Sequence, residues 1–254
     1  MKVTLLRLKA FWRRKVGLER RRFFAEIEEG FAIVKGEEAY HLSVVLRLGK
    51  GDEIELLTSE GIWIGRIESL AGDVVRVSLL ERKTVEKLPF DVFLFQGITK
   101  GRRIDWLVQK AAELGCKAFY PMFTRYTVLN EVGEEKLKRW VKIAKEASKQ
   151  CGRPDVMEVR EPIGFADAIK LSGEMNALRI APCLRGEPVP LRDVLLKGRS
   201  DRVAIFIGPE GGFSPEEVEM LTSSGIKTVT LGPYILKSET ASIMVLSALL
   251  TLWG

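Results

Sequence analysis

Histidine is almost absent from this chain of 254 residues, with His41 its single representative. HExxH zinc sites and multi-histidine metal cages are thereby excluded, and a Ser-His-Asp hydrolase would have to be built on His41 alone. Cysteine is nearly as scarce. Cys116, Cys151 and Cys183 lie 35 and 32 residues apart, so no CxxC pair exists to hold zinc, an iron–sulfur cluster or a redox disulfide. They read as ordinary cytosolic thiols, and no bound metal is expected. No apolar run reaches the roughly eighteen residues that suggest a bilayer span, and the N-terminal stretch is too interrupted by arginine and lysine to offer a secretory core. The expectation is a soluble, cytoplasmic protein. Neither a G-x-G-x-x-G fingerprint nor a G-x-x-x-x-G-K-S/T loop occurs, which turns the reading away from nicotinamide and nucleoside-triphosphate chemistry. Asparagine (Asn130, Asn176) and glutamine (Gln96, Gln109, Gln150) are few, a scarcity that fits adaptation to heat.

What is present is charge and apolar bulk. The chain carries a net +6, and 46% of it is hydrophobic, enough to bury one large core or two modest ones. The charge is uneven. Residues 1–22 hold nine Lys/Arg against Glu19 alone, giving +8, so the rest sums to 6 − 8 = −2. Leu5, Leu8, Trp12 and Val16 recur there at near-helical spacing. The leader therefore suits a basic amphipathic helix that touches RNA or an acidic membrane surface, and equally a disordered tail or residues added by a misassigned start codon.

From Phe23 to about Lys87, short alternating runs at 24–27, 31–34, 52–57, 62–67 and 74–79 predict strands. One helical stretch, 37–48, interrupts them, which together makes a small β-barrel with one helix. A linker is expected near Leu88-Pro89. Beyond it, apolar strands at 91–96, 117–122, 177–182, 203–207 and 226–231 alternate with helices at 103–114 and 134–150, the pattern of a parallel sheet covered on both faces. Gly115 suits a left-handed helix end. The last segment, 240–253, is apolar on every side, so it must be buried between layers or against a second subunit.

The sharpest local signal is the run from Ile205 to Glu217, a strand entering a glycine-rich turn and then a helix. Ser214 is the expected N-cap, with Pro215 first in the helix and Glu217 closing a capping box. Gly208, Gly211 and Gly212 let a ligand approach the backbone at a strand's carboxyl end, where open α/β sheets bind small molecules; a bare connection is the alternative. A second such loop, 231–240, has Ser238 or Thr240 to cap its helix. At the end of the 134–150 helix, Gly152 and Pro154 break the chain and leave Arg153 projecting, either as a functional cation or to satisfy helix carbonyls.

The combination of Glu146-Ala…Gln150-x-x-Arg153, Ile207-Gly-Pro-Glu-Gly-Gly212 and Leu231-Gly-x-x-Ile-Leu-Lys-x-Glu-Thr-Ala241 resembles the RsmE family of 16S ribosomal RNA methyltransferases, within the SPOUT superfamily. The resemblance takes in Arg22-Phe-Phe24, His41…Arg47 and Gln96…Lys100…Gly115, and covers roughly residues 21–254. Four departures stand out. Tyr234 and Lys237 stand where the family usually has arginine, Cys151 replaces a serine, and the basic leader is atypical.

The resemblance implies an α/β fold: a SPOUT-type C-terminal domain (89–254) with a parallel sheet and a deep trefoil knot, plus a small PUA-like N-terminal β-barrel (21–88) for RNA, after a basic extension (1–20). It implies a homodimer, with 16S rRNA of the small subunit as partner and neither membrane nor metal. The implied reaction is methyl transfer from S-adenosylmethionine to N3 of a uridine, with S-adenosylhomocysteine as product. Ile207, Gly208, Pro209, Gly212, Leu231, Gly232, Ile235, Leu236, Thr240 and Ala241 are the implied cofactor residues. Arg153 heads the catalytic candidates, ahead of Lys237, Glu210 and Gln150, and Arg22, His41, Arg47, Lys100 and Arg125 are candidate RNA contacts.

Overall fold

The structure, a computed structural model, describes residues 21–129 and 131–254; the helix proposed for the leader lies outside the described residues. The chain divides into two compact units, one running to Lys87 and including Lys149–Asp155, the other made of Leu88–Ser148 and Val156–Gly254. The segment 149–155 therefore belongs with the first unit, although its sequence position lies inside the second.

The first unit contains β1 (Arg22–Phe24), β2 (Glu26–Glu28), β3 (Phe31–Lys35), α1 (Gly36–Tyr40), β4 (Glu53–Thr58), β5 (Gly61–Ala71) and β6 (Val74–Lys83). They form one sheet in the order β1-β4-β5-β6-β3-β2. The strand expected at 24–27 is broken in two. Ala25 donates its N–H to the Leu57 carbonyl, after which the chain leaves β4 and pairs with β3 instead. Because β1 and β2 are the two ends of the sheet yet are separated only by Ala25, about 7 Å of chain, the sheet must curl until its edges meet. Alternation fills the interior: Phe23, Val34, Ile54, Leu56, Ile67, Val75 and Val77 are buried against Leu42. The helix expected over 37–48 is shorter, α1 passing into a single π-turn, His41–Val45, closed by the Leu46 N–H on the His41 carbonyl.

The second unit runs β7 (Asp91–Gly97), α2 (Arg103–Glu113), β8 (Ala118–Phe123), α3 (Glu134–Cys151, its last turn in the first unit), β9 (Glu158–Val159), β10 (Ile163–Gly164), α4 (Phe165–Glu174), β11 (Leu178–Pro182), β12 (Val189–Pro190), α5 (Leu191–Leu196), β13 (Arg202–Ile207), α6 (Pro215–Ser223), β14 (Lys227–Thr230) and α7 (Ser238–Trp253). The five principal strands fall where the sequence places them; α4, α5 and the two-residue strands were not anticipated. Every pairing is parallel, in the order β10-β8-β7-β13-β11-β14-β12, with β9 beside β8.

Both faces are covered, as a parallel sheet requires. Val92, Leu94, Ile180, Ile205 and Val229 pack with α2, α3, α5 and α7, whereas Phe95, Tyr120, Ala204 and Phe206 pack with α4 and α6. On the second face the Phe95 ring lies between Tyr120 and Phe206 at 4.6 and 4.7 Å. Trp140 of α3 is fully buried and donates its indole N–H to Asp105 of α2 at 2.9 Å, so truncating it should cost about 4 kcal/mol. Gly115 ends α2 at φ +82°, where an added Cβ would overlap Leu88. The final helix buries Ala241, Ser242, Val245, Leu246, Leu249 and Trp253 and leaves Met244 and Leu252 half exposed. No helix among the described residues is long and apolar enough to cross a membrane.

Candidate functional site

Two loops leave the carboxyl ends of β13 and β14 and make a cavity of about 420 Å³. The first, Gly208–Phe213, ends at the capping box the sequence predicts: Ser214 Oγ accepts from the Glu217 N–H at 3.2 Å, and Glu217 Oε2 accepts from the Ser214 N–H at 2.9 Å. Glu217 Oε1 also accepts from the Arg125 N–H at 2.7 Å, tying the loop after β8 to this helix start. The loop folds tightly on itself. A Cβ on Gly208 would lie 2.8 Å from the Gly212 carbonyl carbon, closer than real Cβ contacts allow.

The second loop, Leu231–Lys237, corrects one expectation. Neither Ser238 nor Thr240 caps α7; Lys237 occupies the cap position and makes no side-chain cap bond. Ser238 is used elsewhere. Its hydroxyl donates to the Gly208 carbonyl at 2.5 Å and accepts from Gln96 Nε2 at 2.8 Å, while Ser242 Oγ donates to Gln96 Oε1 at 2.6 Å. All three side chains are buried, so one closed polar network joins the end of β7, the glycine turn and the start of α7.

Ile207, Gly208, Pro209, Gly212, Leu231, Gly232, Ile235, Leu236 and Ala241 all line the cavity, as do Glu210 and Lys237; Thr240 does not and is exposed. Glu210 is positioned by the Lys100 N–H at 3.2 Å and by Arg103 Nη1 at 3.0 Å. Arg153 and Gln150 belong to the other unit. Arg153 makes a two-point pair with Asp155, at 3.2 and 3.1 Å. Arg22 spends its guanidinium on buried Glu55 and on the Lys149 and Gln150 carbonyls at 3.3 and 3.0 Å, within its own unit. Burial pulls the Glu55 carboxyl upward, but Lys83 and Arg22 together outweigh it and hold it below its ordinary value. His41, Arg47, Lys100 and Arg125 are exposed.

Sequence reasoning missed Arg103, Cys183, Arg185 and Ser238 as lining residues. In the sequence Ser238 reads only as one of two cap candidates beside Thr240, and the other three sit on elements distant in sequence that only the sheet order brings here. Burial pushes the Cys183 thiol up to about 12, so it is protonated at neutral pH and takes no part as a nucleophile. Among the described residues no group of three His, Cys, Asp or Glu could hold a metal ion.

The RNA methyltransferase domain family matches residues 86–250, the stretch that carries the parallel sheet and the glycine-turn cavity. Ribosomal RNA small subunit methyltransferase E of Bacillus subtilis is 33% identical, covering 88% of this chain and 91% of its own; that of Aquifex aeolicus is 29% identical, covering 90% and 98%. The chain belongs to the ribosomal RNA small subunit methyltransferase E family. Among solved structures, the Neisseria gonorrhoeae member bound to S-adenosyl methionine superposes with a TM-score of 0.81 at 28% identity, over 92% of this chain and 98% of that one. A Legionella pneumophila methyltransferase with bound cofactor SAM gives 0.78 at 29%, over 91% and 96%.

Proposed function

We propose that the second unit binds S-adenosylmethionine in this cavity and methylates N3 of a uridine in 16S rRNA of the small ribosomal subunit, in the cytoplasm. The observation that carries this reading is the cavity itself. Its volume of about 420 Å³ lies in the range of small-molecule sites, and apolar Ile207, Leu231, Leu236 and Ala241 share its wall with backbone groups of two loops. Such a wall suits an adenosine and a methionine: loop amides and carbonyls would be available to the base edge, and the aliphatic side chains to its faces. When bound, the cofactor supplies an electrophilic methyl group.

The protein's own work is orientation and charge. The N3–H bond of uracil must break as the N3–methyl bond forms and the methyl–sulfur bond of the donor breaks, leaving S-adenosylhomocysteine; negative charge spreads to the ring oxygens as the proton leaves. Lys237 lies in the wall to meet that charge, and Glu210, held by Arg103 and the Lys100 N–H, is the carboxylate within the cavity that can accept a proton. No histidine occurs in this unit, so none serves as base. Arg153 and Gln150 are assigned a supporting role toward phosphate, and Thr240 a place at the edge of the cofactor site.

The first unit, a PUA-like barrel over 21–88, is assigned to RNA, with His41 and Arg47 as exposed contacts and Arg22 acting through the segment it holds; Lys100 and Arg125, exposed on the second unit, are assigned to RNA independently of it. A homodimer covers Trp106 of α2 and Met244 and Leu252 of α7, large apolar side chains left half exposed on two helices that pack together. The deep trefoil knot is assigned to the loops and helix that follow β13 and β14. Calorimetric titration with S-adenosylmethionine, followed by assay of small subunits for N3-methyluridine, tests the proposal. Saturable binding with methylation of that position is the expected result; a folded protein that binds no cofactor would be an assembly factor instead.

A further inference from the structure

Three large apolar side chains stand nearly bare at the cavity mouth. Leu184 is 72% exposed, Tyr234 79% and Ile235 80%, and all three line the cavity. Single exposed apolar residues are ordinary, but three on one functional rim mark a surface that something covers. Cations flank them. Arg185 follows Leu184 directly, Lys237 follows Ile235 by two residues, and both also line the cavity. An occupant must therefore present a flat apolar body together with negative charge. A nucleotide drawn out of an RNA strand has both: its base offers a π-face to an aromatic ring, and its phosphates meet the cations.

We propose that Tyr234 is the stacking platform for the base that enters the cavity, with Arg185 taking an adjoining phosphate while Lys237 faces the oxygens of the base. This assignment rests on the methyltransferase reading of the same site. A base paired inside a helix cannot present N3, because pairing occupies that edge, so the base that reacts must stand free of a pair and be held. A planar ring at the lip holds it without competing for the edge that reacts. Leu184 and Ile235 then exclude water from the sides of the stacked base.

The test compares the full-length protein with Tyr234→Leu, which keeps apolar bulk but removes the π-face, and Tyr234→Phe, which restores it. Expected is an increase of about tenfold in the KM for small ribosomal subunits in the leucine variant, recovery in the phenylalanine variant, and an unchanged oligomeric state in both. Any of three results overturns the platform: leucine matching the parent, phenylalanine failing as leucine does, or the loss arising with dissociation of a dimer, which would make a second copy the occupant. Fluorescence anisotropy with a labelled oligouridine supplies an independent readout. Should the parent protein bind cofactor yet leave small subunits unmethylated, the functional reading fails, while equal oligouridine affinity of parent and leucine variant sinks the platform by itself.

Discussion

Ser238 and Gly208, thirty residues apart, are joined by a hydrogen bond of 2.5 Å that locks the start of the last helix onto the glycine turn. The same hydroxyl accepts from Gln96, so a single oxygen holds together three segments that meet at the cavity. Replacing Ser238 by alanine strands the Gly208 carbonyl and one Gln96 N–H in a buried setting. We expect Ser238→Ala to lose about 2 kcal/mol of stability and to bind S-adenosylmethionine more weakly. Thermal unfolding and calorimetry read both; unchanged values in the two measurements would remove the network from the site's construction.

Gly208→Ala should be worse for binding than for folding. The added Cβ meets the Gly212 backbone at 2.8 Å, and backbone on both sides of the turn has little room to give. The two loop arms must separate, spoiling the wall they share. A drop in cofactor affinity of on the order of tenfold is expected, with circular dichroism retained, and an alanine variant that binds as tightly as the parent would contradict the close approach.

Glu55 sets an acid limit on the first unit. Its carboxyl is held below the ordinary value of 4.5, so the stabilisation it brings is complete above that value and is lost as pH falls from there through the lower folded value. Glu55→Gln should therefore destabilise by about 2 kcal/mol at neutral pH, after discounting for its partly exposed partners. The gap between parent and variant should shrink as acid is added below pH 4.5, measured by denaturant titration across pH. A gap constant to strong acid would assign the effect to packing.

The three cysteines should separate cleanly under a thiol reagent. Cys151 is exposed, Cys116 and Cys183 are buried, and burial has pushed Cys183 up to about 12. At mildly alkaline pH, mass spectrometry should find Cys151 modified first, with Cys183 slow and slower still once S-adenosylhomocysteine fills the cavity whose wall it shares. Rapid modification of Cys183, insensitive to ligand, would contradict this placement.

Much of the architecture could be read along the chain. The switch from alternating runs to uniformly apolar strands near Leu88 marks the boundary between units because a half-buried sheet and a doubly covered one impose different periods. The Ser214 cap and the Gly115 stop are local, each set by side-chain and backbone chemistry within a few residues, and both stand as read. The capping roles that the sequence offers to Ser238 or Thr240 fail for the same reason: a hydroxyl at a helix start looks like a cap unless its tertiary partners, Gly208 and Gln96 for Ser238, are known to be beside it.

The sequence by itself determined the glycine turn, the apolar loop residues and the motifs that carry the family. Those depend on short-range geometry and on residue type. Tertiary structure alone decided which distant residues complete the site. The order β7-β13-β11-β14 places strands from four separate stretches side by side, and so brings Arg103, Cys183 and Arg185 to the cavity. It also decided that Arg22 serves Glu55, 33 residues away, and the carbonyls of Lys149 and Gln150, 127 and 128 residues away, since pairing at such separations leaves no periodic trace in the chain.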